Sequence, residues 1–481
     1  MPKDHPSTSQ NDGSYPGTTA RFVTAERLAS IYRHYSEDSA KELVALRERH
    51  LIATVEEFLG LYHVIRSEHP HTSEETGFER CVAFVLEHWD SFFDIAVDPT
   101  FICWVSLLRD LIEPYGHRAT AAADLRDHIS ASGLDRESYL HQHLTQFAAF
   151  AAGTAVKTGS DFVPPQTLSL QDGWLPGTDT ELARDGDGNG KEVLQAVLGG
   201  IPCFKSAARP HPVPRARAAS ASLLVHANHP YYHLKHVERW PRLMTQSARV
   251  AFASRLAEAM SLTDQLIPGI CRETDVVLNT CVAMETKGVT PMASGSYTRL
   301  FGAIFLADSP QVEFMAEMFI HEFCHNKLTL LEDAAPFFRN FSRRRFHHYS
   351  PWRDTLRSAE GVLHALFVHA EIARFWIRLL EQGSAGVRKD VILRRVWTLL
   401  GQLDLGAEDL RRTGEFTEVG SLLLDDIAQS IAEWRAAVTP CSPSAHPLFS
   451  EMKKDPELLE LSIARALVRH RTAVWTSSAA S

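Results

Sequence analysis

His321 and His325 stand four residues apart with an acid between them, in the stretch His321-Glu322-Phe323-Cys324-His325. On a helix this spacing stacks two imidazoles one turn apart on one face, where both can bind the same metal ion. Glu322 lies about 100° around such a helix from His321 and is placed to reach a water on the metal rather than the metal itself. Two imidazoles are too few for a tightly held catalytic metal, so a third ligand has to arrive from another segment. Ser358 to Glu371 supplies the candidates. Helical spacing puts Glu360, His364, Val368 and Glu371 on one face, and His369 with Ala365, Ile372 and Trp376 on another. His364 is the expected third ligand, with Glu360 or Glu371 as its hydrogen-bond partner or its rival, while His369 is expected to pack. Gly361 allows the close helix approach that a shared metal requires. Cys324 is expected to face the core.

The motif helix follows a strand candidate, Leu300 to Leu306, and a turn through Asp308-Ser309-Pro310. This order matches metal sites of the zincin type, in which the edge strand lines the cleft beside the metal helix. Leu328 and Leu331 stand where the metzincin pattern requires Gly and His, which excludes that group. Two further strands are expected at Ser222–His226 and Asp275–Val282, where branched residues run between turn formers. Helical periodicity marks an N-terminal region over 21–156, the stretch from about Trp240 to Leu266, and a C-terminal region over 386–475. Between 157 and 220 proline and glycine dissolve the pattern, which predicts an irregular connection or lid; 221–385 holds the catalytic region. Residues 1–20 and 476–481 read as disordered tails. The expected fold is α+β and predominantly helical, with a small β-sheet beside a zincin-like motif helix.

Composition narrows the function classes. The 481 residues are 44% hydrophobic and 22% charged, which supports a packed core and excludes disorder for the bulk of the chain. A net charge of -10 opposes nucleic acid as a main partner. Seven scattered cysteines without a Cys-x-x-Cys pair indicate neither a disulfide framework nor a cysteine-built zinc site, and no apolar run is long enough to span a bilayer. A cytoplasmic protein without a membrane partner is expected, and the oligomeric state is not legible. Asp185-Gly186-Asp187-Gly188-Asn189-Gly190 resembles the start of a calcium loop, but Ala196 occupies the position of the bidentate Glu. His226, His229, His233 and His236, the basic strip Arg209 to Arg217, and Arg343-Arg344-Arg345 read as solvated segments rather than as sites.

Several blocks together resemble a known family, the bacterial HExxH motif domain proteins of peptide natural-product pathways. They are Ser294-Gly295-Ser296-Tyr297 before Phe301-Gly302-Ala303-Ile304, His321 through Leu328, Pro351-Trp352-Arg353, and Gly361-Val362-Leu363-His364. Val97-Asp98-Pro99 followed by Trp104 adds to the likeness, which covers about 220 to 385 well and the rest loosely. Asp354-Thr355-Leu356-Arg357-Ser358 departs from the family's Asp-Pro-Arg-Pro run. The resemblance implies an iron(II) and 2-oxoglutarate dependent hydroxylase of an amino-acid side chain, free, peptide-borne or carrier-bound. In that reading His321, His325 and His364 hold Fe(II), and Glu322 supports them. A guanidinium must clamp the distal carboxylate of 2-oxoglutarate, and Arg353, Arg357 and Arg299 are the candidates. The alternative is a zinc peptidase or amidase with Glu322 as general base, because imidazole suits iron and zinc alike.

Overall fold

The computed structural model describes residues 35–112, 133–162, 210–226, 246–284, 293–339, 348–383, 386–411 and 415–439, with isolated positions and short strand pairs between them. Both tails, most of 157–220, the calcium-like loop, His229, His233, His236, Arg343 to Arg345 and 440–475 lie outside the described residues.

Twelve helices and a five-stranded mixed sheet dominate the described residues, a predominantly helical α+β fold. The N-terminal layer comprises α1 (Glu37–Glu68), α2 (Pro70–Glu75), α3 (Phe78–Glu87), α4 (Trp89–Ala96), α5 (Pro99–Ile112) and α6 (Arg136–Thr158). Ser36 and Ser39 close a reciprocal cap on α1, and Asp135 accepts from the Ser138 amide at 2.7 Å to start α6.

The sheet is built from β1 (Arg215–Ala218), β2 (Ala221–His226), β3 (Thr280–Met284), β4 (Ser294–Ser296) and β5 (Ala303–Ala307), in the order β1-β2-β3-β5-β4. The inner strands β2, β3 and β5 are parallel, and the edge strands β1 and β4 are antiparallel to their neighbours. Between β2 and β3 run α7 (Gln246–Leu266) and α8 (Ile270–Val277).

Every residue of β3 and β5 is buried because both faces of the sheet are covered, which explains why these strands read as continuous apolar runs. Cys281, Ala283, Ile304 and Leu306 enter a core shared with α7, α8 and the helices over Val312–Ala334 and Ala359–Gln382. The alternate residues Val282, Met284, Ala303, Phe305 and Ala307 enter a second core with Phe58, Phe101, Trp104 and Phe147 of the N-terminal helices. The N-terminal region is therefore one layer of a three-layer body.

Three expectations are corrected. Asp275 to Val277 end helix α8 rather than opening a strand, because Ile270, Cys271, Thr274 and Val277 bury a face at helical spacing. Leu300 to Leu306 does not form the edge strand: Leu300 belongs to a 3-10 turn, and β5 lies inside the sheet. The antiparallel edge is β4, formed by Ser294-Gly295-Ser296. Arg215–Ala218, expected within the irregular connection, is a strand of this sheet.

After β5 come the motif helix α9 (Val312–Ala334), a hairpin of β6 (His348–Ser350) and β7 (Thr355–Arg357), then α10 (Ala359–Gln382), α11 (Lys389–Arg411) and α12 (Glu418–Val438). Ser358 caps α10 by accepting from the Gly361 amide at 3.1 Å. Asn326, one residue past the motif, accepts from the Gly302 amide at 2.8 Å and donates to the Glu322 carbonyl at 3.0 Å, fixing α9 against the turn into β5. That turn needs glycine, since Gly302 has φ of 91°. No single described helix is long and apolar enough to cross a membrane.

Candidate metal centre

The pair predicted on one helical face is there. His321 and His325 bring their Nε2 atoms to 3.3 Å of each other on α9, a separation at which both can bind one ion. Helix α10 runs beside α9, with His364 next to His325 (ring centroids 6.0 Å apart) and His369 next to His321 (5.5 Å). His369, expected to pack, is thus a fourth imidazole of the centre. Its Nδ1–H donates to the Ala365 carbonyl at 2.7 Å, which leaves Nε2 as the nitrogen with a lone pair. His364 places its Nε2 at 3.2 Å from the carboxylate of Glu332, on the last turns of α9.

Burial pushes the His325 imidazole well below the ordinary histidine range, and His321, His364, His369 and Arg353 add to the effect. Burial also lowers His369, reinforced by His321, Arg395 and Arg353 against the opposing bond to Ala365. Both rings are therefore neutral at pH 7, the state a metal requires. Glu322 is 2% exposed, with a carboxylate oxygen 3.9 Å from His321 Nε2.

The other candidate carboxylates separate. Glu371 accepts from the Tyr35 hydroxyl at 2.8 Å and lies 3.3 Å from Arg374, so it is engaged with the N-terminal layer and does not join the histidines. Glu360 sits with Glu332 and His364, and the potential ligand atoms of these three residues lie within 4.8 Å of one another. Cys324 is fully buried, as expected.

The arginines separate as well. Arg299 is paired with Asp110 of α5 at 2.5 Å, which ties it to the N-terminal layer and removes it as a clamp. Arg353 sits in the turn of the β6–β7 hairpin, whose geometry is set locally. Asp354 adopts a left-handed backbone with φ of 50° and accepts from the Tyr349 hydroxyl at 3.0 Å. Asp409 of α11 holds the hairpin from outside, accepting from the Tyr349 amide at 3.2 Å and lying 3.0 Å from His348 Nδ1. Trp352 stacks over His369, with centroids 4.8 Å apart and planes at 24°.

Arg353 is exposed and Arg357 is half-buried. Among the described residues neither guanidinium has an ion-pair or hydrogen-bond partner. Burial, and then the neighbouring Arg353, lower the Arg357 pKa, yet a guanidinium remains protonated. Arg395, the other cation felt by His369, is already satisfied by Glu317.

Sequence spacing put His321 and His325 on one face, as the structure has them, and His364 on the helix that lies beside them. It missed His369 and Glu332. No family model matches the sequence, and comparison with curated proteins finds no match.

Proposed function

We propose that the chain is an iron(II) and 2-oxoglutarate dependent oxygenase that hydroxylates an amino-acid side chain, free, peptide-borne or carrier-bound. The observation that carries this reading is the pair Arg353 and Arg357: the charge of Arg353 reaches His325 and His369, Arg357 lies half-buried beside it, and neither has a carboxylate partner among the described residues. A dicarboxylate co-substrate needs a bidentate clamp for its distal end, which guanidiniums without carboxylate partners can provide.

The donor set fits the metal: neutral imidazoles, two of them with Nε2 atoms 3.3 Å apart, suit Fe(II). His321, His325 and a third imidazole from α10, either His364 or His369, would hold it. When bound, iron would supply the activation of O2, one atom of which would enter the C–H bond while the other would end in succinate as 2-oxoglutarate, the two-electron reductant, loses CO2. The chain's own residues do the rest. Arg357 and Arg353 bind and orient the co-substrate carboxylate. Trp352 covers His369 and keeps water from that side. Glu322, acceptor-only when ionised, orients groups beside His321.

Protein loaded anaerobically with Fe(II) is expected to develop a visible charge-transfer band on addition of 2-oxoglutarate, and His321→Ala is expected to abolish it. Stoichiometric zinc with no response to 2-oxoglutarate overturns the reading. The position of Glu322, buried and 3.9 Å from His321 Nε2, favours one second reading, a zinc-dependent peptidase or amidase with Glu322 as general base. Loss of amide hydrolysis in Glu322→Gln with zinc retained would support it.

A further inference from the structure

The four imidazoles at the α9–α10 contact are not equivalent. His364 has its Nε2 on a carboxylate, 3.2 Å from Glu332, and its ring lies nearly parallel to that of His325. His369 meets His321 edge-on at 87° and, with Nδ1 donating to Ala365, keeps Nε2 as its ligand nitrogen. Glu360 stands one helical turn before His364 on α10, and Glu332 faces both from α9. All three are half-buried, and among the described residues they are the one set of three whose potential ligand atoms lie within 4.8 Å of one another.

We propose that Glu332, Glu360 and His364 form a second cation site, for a divalent transition-metal ion, and that His369 completes the centre of His321 and His325. Two carboxylates alone would suit calcium or magnesium, but the imidazole selects a zinc- or manganese-like ion. Binding replaces the direct contact between His364 and Glu332 with bonds from both to the ion. The site joins the last turns of α9 to the first turns of α10, across the base of the segment that carries Trp352, Arg353 and Arg357. A cross-link there restricts that segment and holds the arginines over the centre. The cation site stands on its own geometry, and the role of His369 rests on the oxygenase reading.

The test uses the full chain, stripped with chelator and titrated with Zn2+. Wild type is expected to take up two equivalents, the Glu332→Gln/Glu360→Gln double variant one, and His321→Ala to retain the equivalent held by the carboxylates. A single equivalent in wild type, or two in the double variant, overturns the second site. Zinc-edge anomalous scattering from wild-type crystals tests it without any substitution: a peak enclosed by Glu332, Glu360 and His364 supports it, and no peak there overturns it. The iron-loaded protein decides the division of the histidines. His369→Ala is expected to lose the 2-oxoglutarate band and His364→Ala to keep it, and the reverse pattern returns His364 to the motif centre. Failure of wild type to show any band would defeat the oxygenase reading while leaving the zinc count to decide the second site.

Discussion

Among single residues, the arginines give the sharpest division. On the proposed oxygenase reading, Arg357→Ala removes a charge-assisted hydrogen-bonding group from the co-substrate and is expected to weaken 2-oxoglutarate binding about tenfold to a hundredfold, read by titration of the band. Arg299→Ala, which breaks only the pair with Asp110, is expected to leave that titration unchanged. Two buried groups away from the centre set opposing pH dependences. Burial lowers His143 to about 4, against the Nε2–H bond it donates to the Trp104 carbonyl. The unfolded chain then binds more protons than the folded one between about pH 6.5 and 4, so stability falls as pH drops through that window, by about 3 kcal/mol in full. Burial raises Asp98 to about 6, so the folded state binds the extra proton and this group adds stability over nearly the same descent. In urea titrations between pH 7 and 4, His143→Gln is expected to gain stability relative to wild type and Asp98→Asn to lose it. Spacing made His321, His325 and His364 legible because one helix repeat fixes one face. It could not rank His369, whose role depends on how α10 lies along α9 and on a tryptophan from a hairpin between them.

Secondary-structure elements were legible where a single period governed them and misread where packing overrode local preference. The branched run after Asp275 reads as strand, yet its first residues finish a helix whose buried face is set by its neighbours. The edge strand was hidden because Ser294-Gly295-Ser296 has none of the residues favoured in strands and is held by pairing with β5. The arginine-bearing hairpin depends on a contact outside itself: a Cβ on Gly406 of α11 would stand 2.7 Å from the Trp352 ring. Gly406→Ala gains about 1 kcal/mol of helix propensity and loses about 1–3 kcal/mol to overpacking, a net loss of about 0–2 kcal/mol. Because the ring that must yield belongs to the turn carrying Arg353, weaker 2-oxoglutarate binding at unchanged metal content is expected, with altered tryptophan fluorescence as the accompanying signature.

In the molecule as a whole, the N-terminal helices read correctly as helices but not as a layer, since nothing in their periodicity says that a sheet will lie beneath them. Their junction with α8 and α9 covers a buried ion pair as well as apolar side chains. Lys327, two residues past His325 and fully buried, lies 2.6 Å from Glu273, donates to the Ile31 carbonyl at 2.8 Å and sits over the Tyr35 ring. Ser39 donates to the other oxygen of Glu273 at 2.6 Å. Lys327→Met leaves a buried carboxylate uncompensated and is expected to cost about 3–5 kcal/mol, with Lys327→Met/Glu273→Gln recovering most of it in a double-mutant cycle by chemical denaturation. The same lysine restricts how this protein can be recombined with another. A chimera that keeps the motif helix but takes its first helical layer from elsewhere must import a tyrosine at 35 and a hydroxyl at 39, or the seam will carry buried charge.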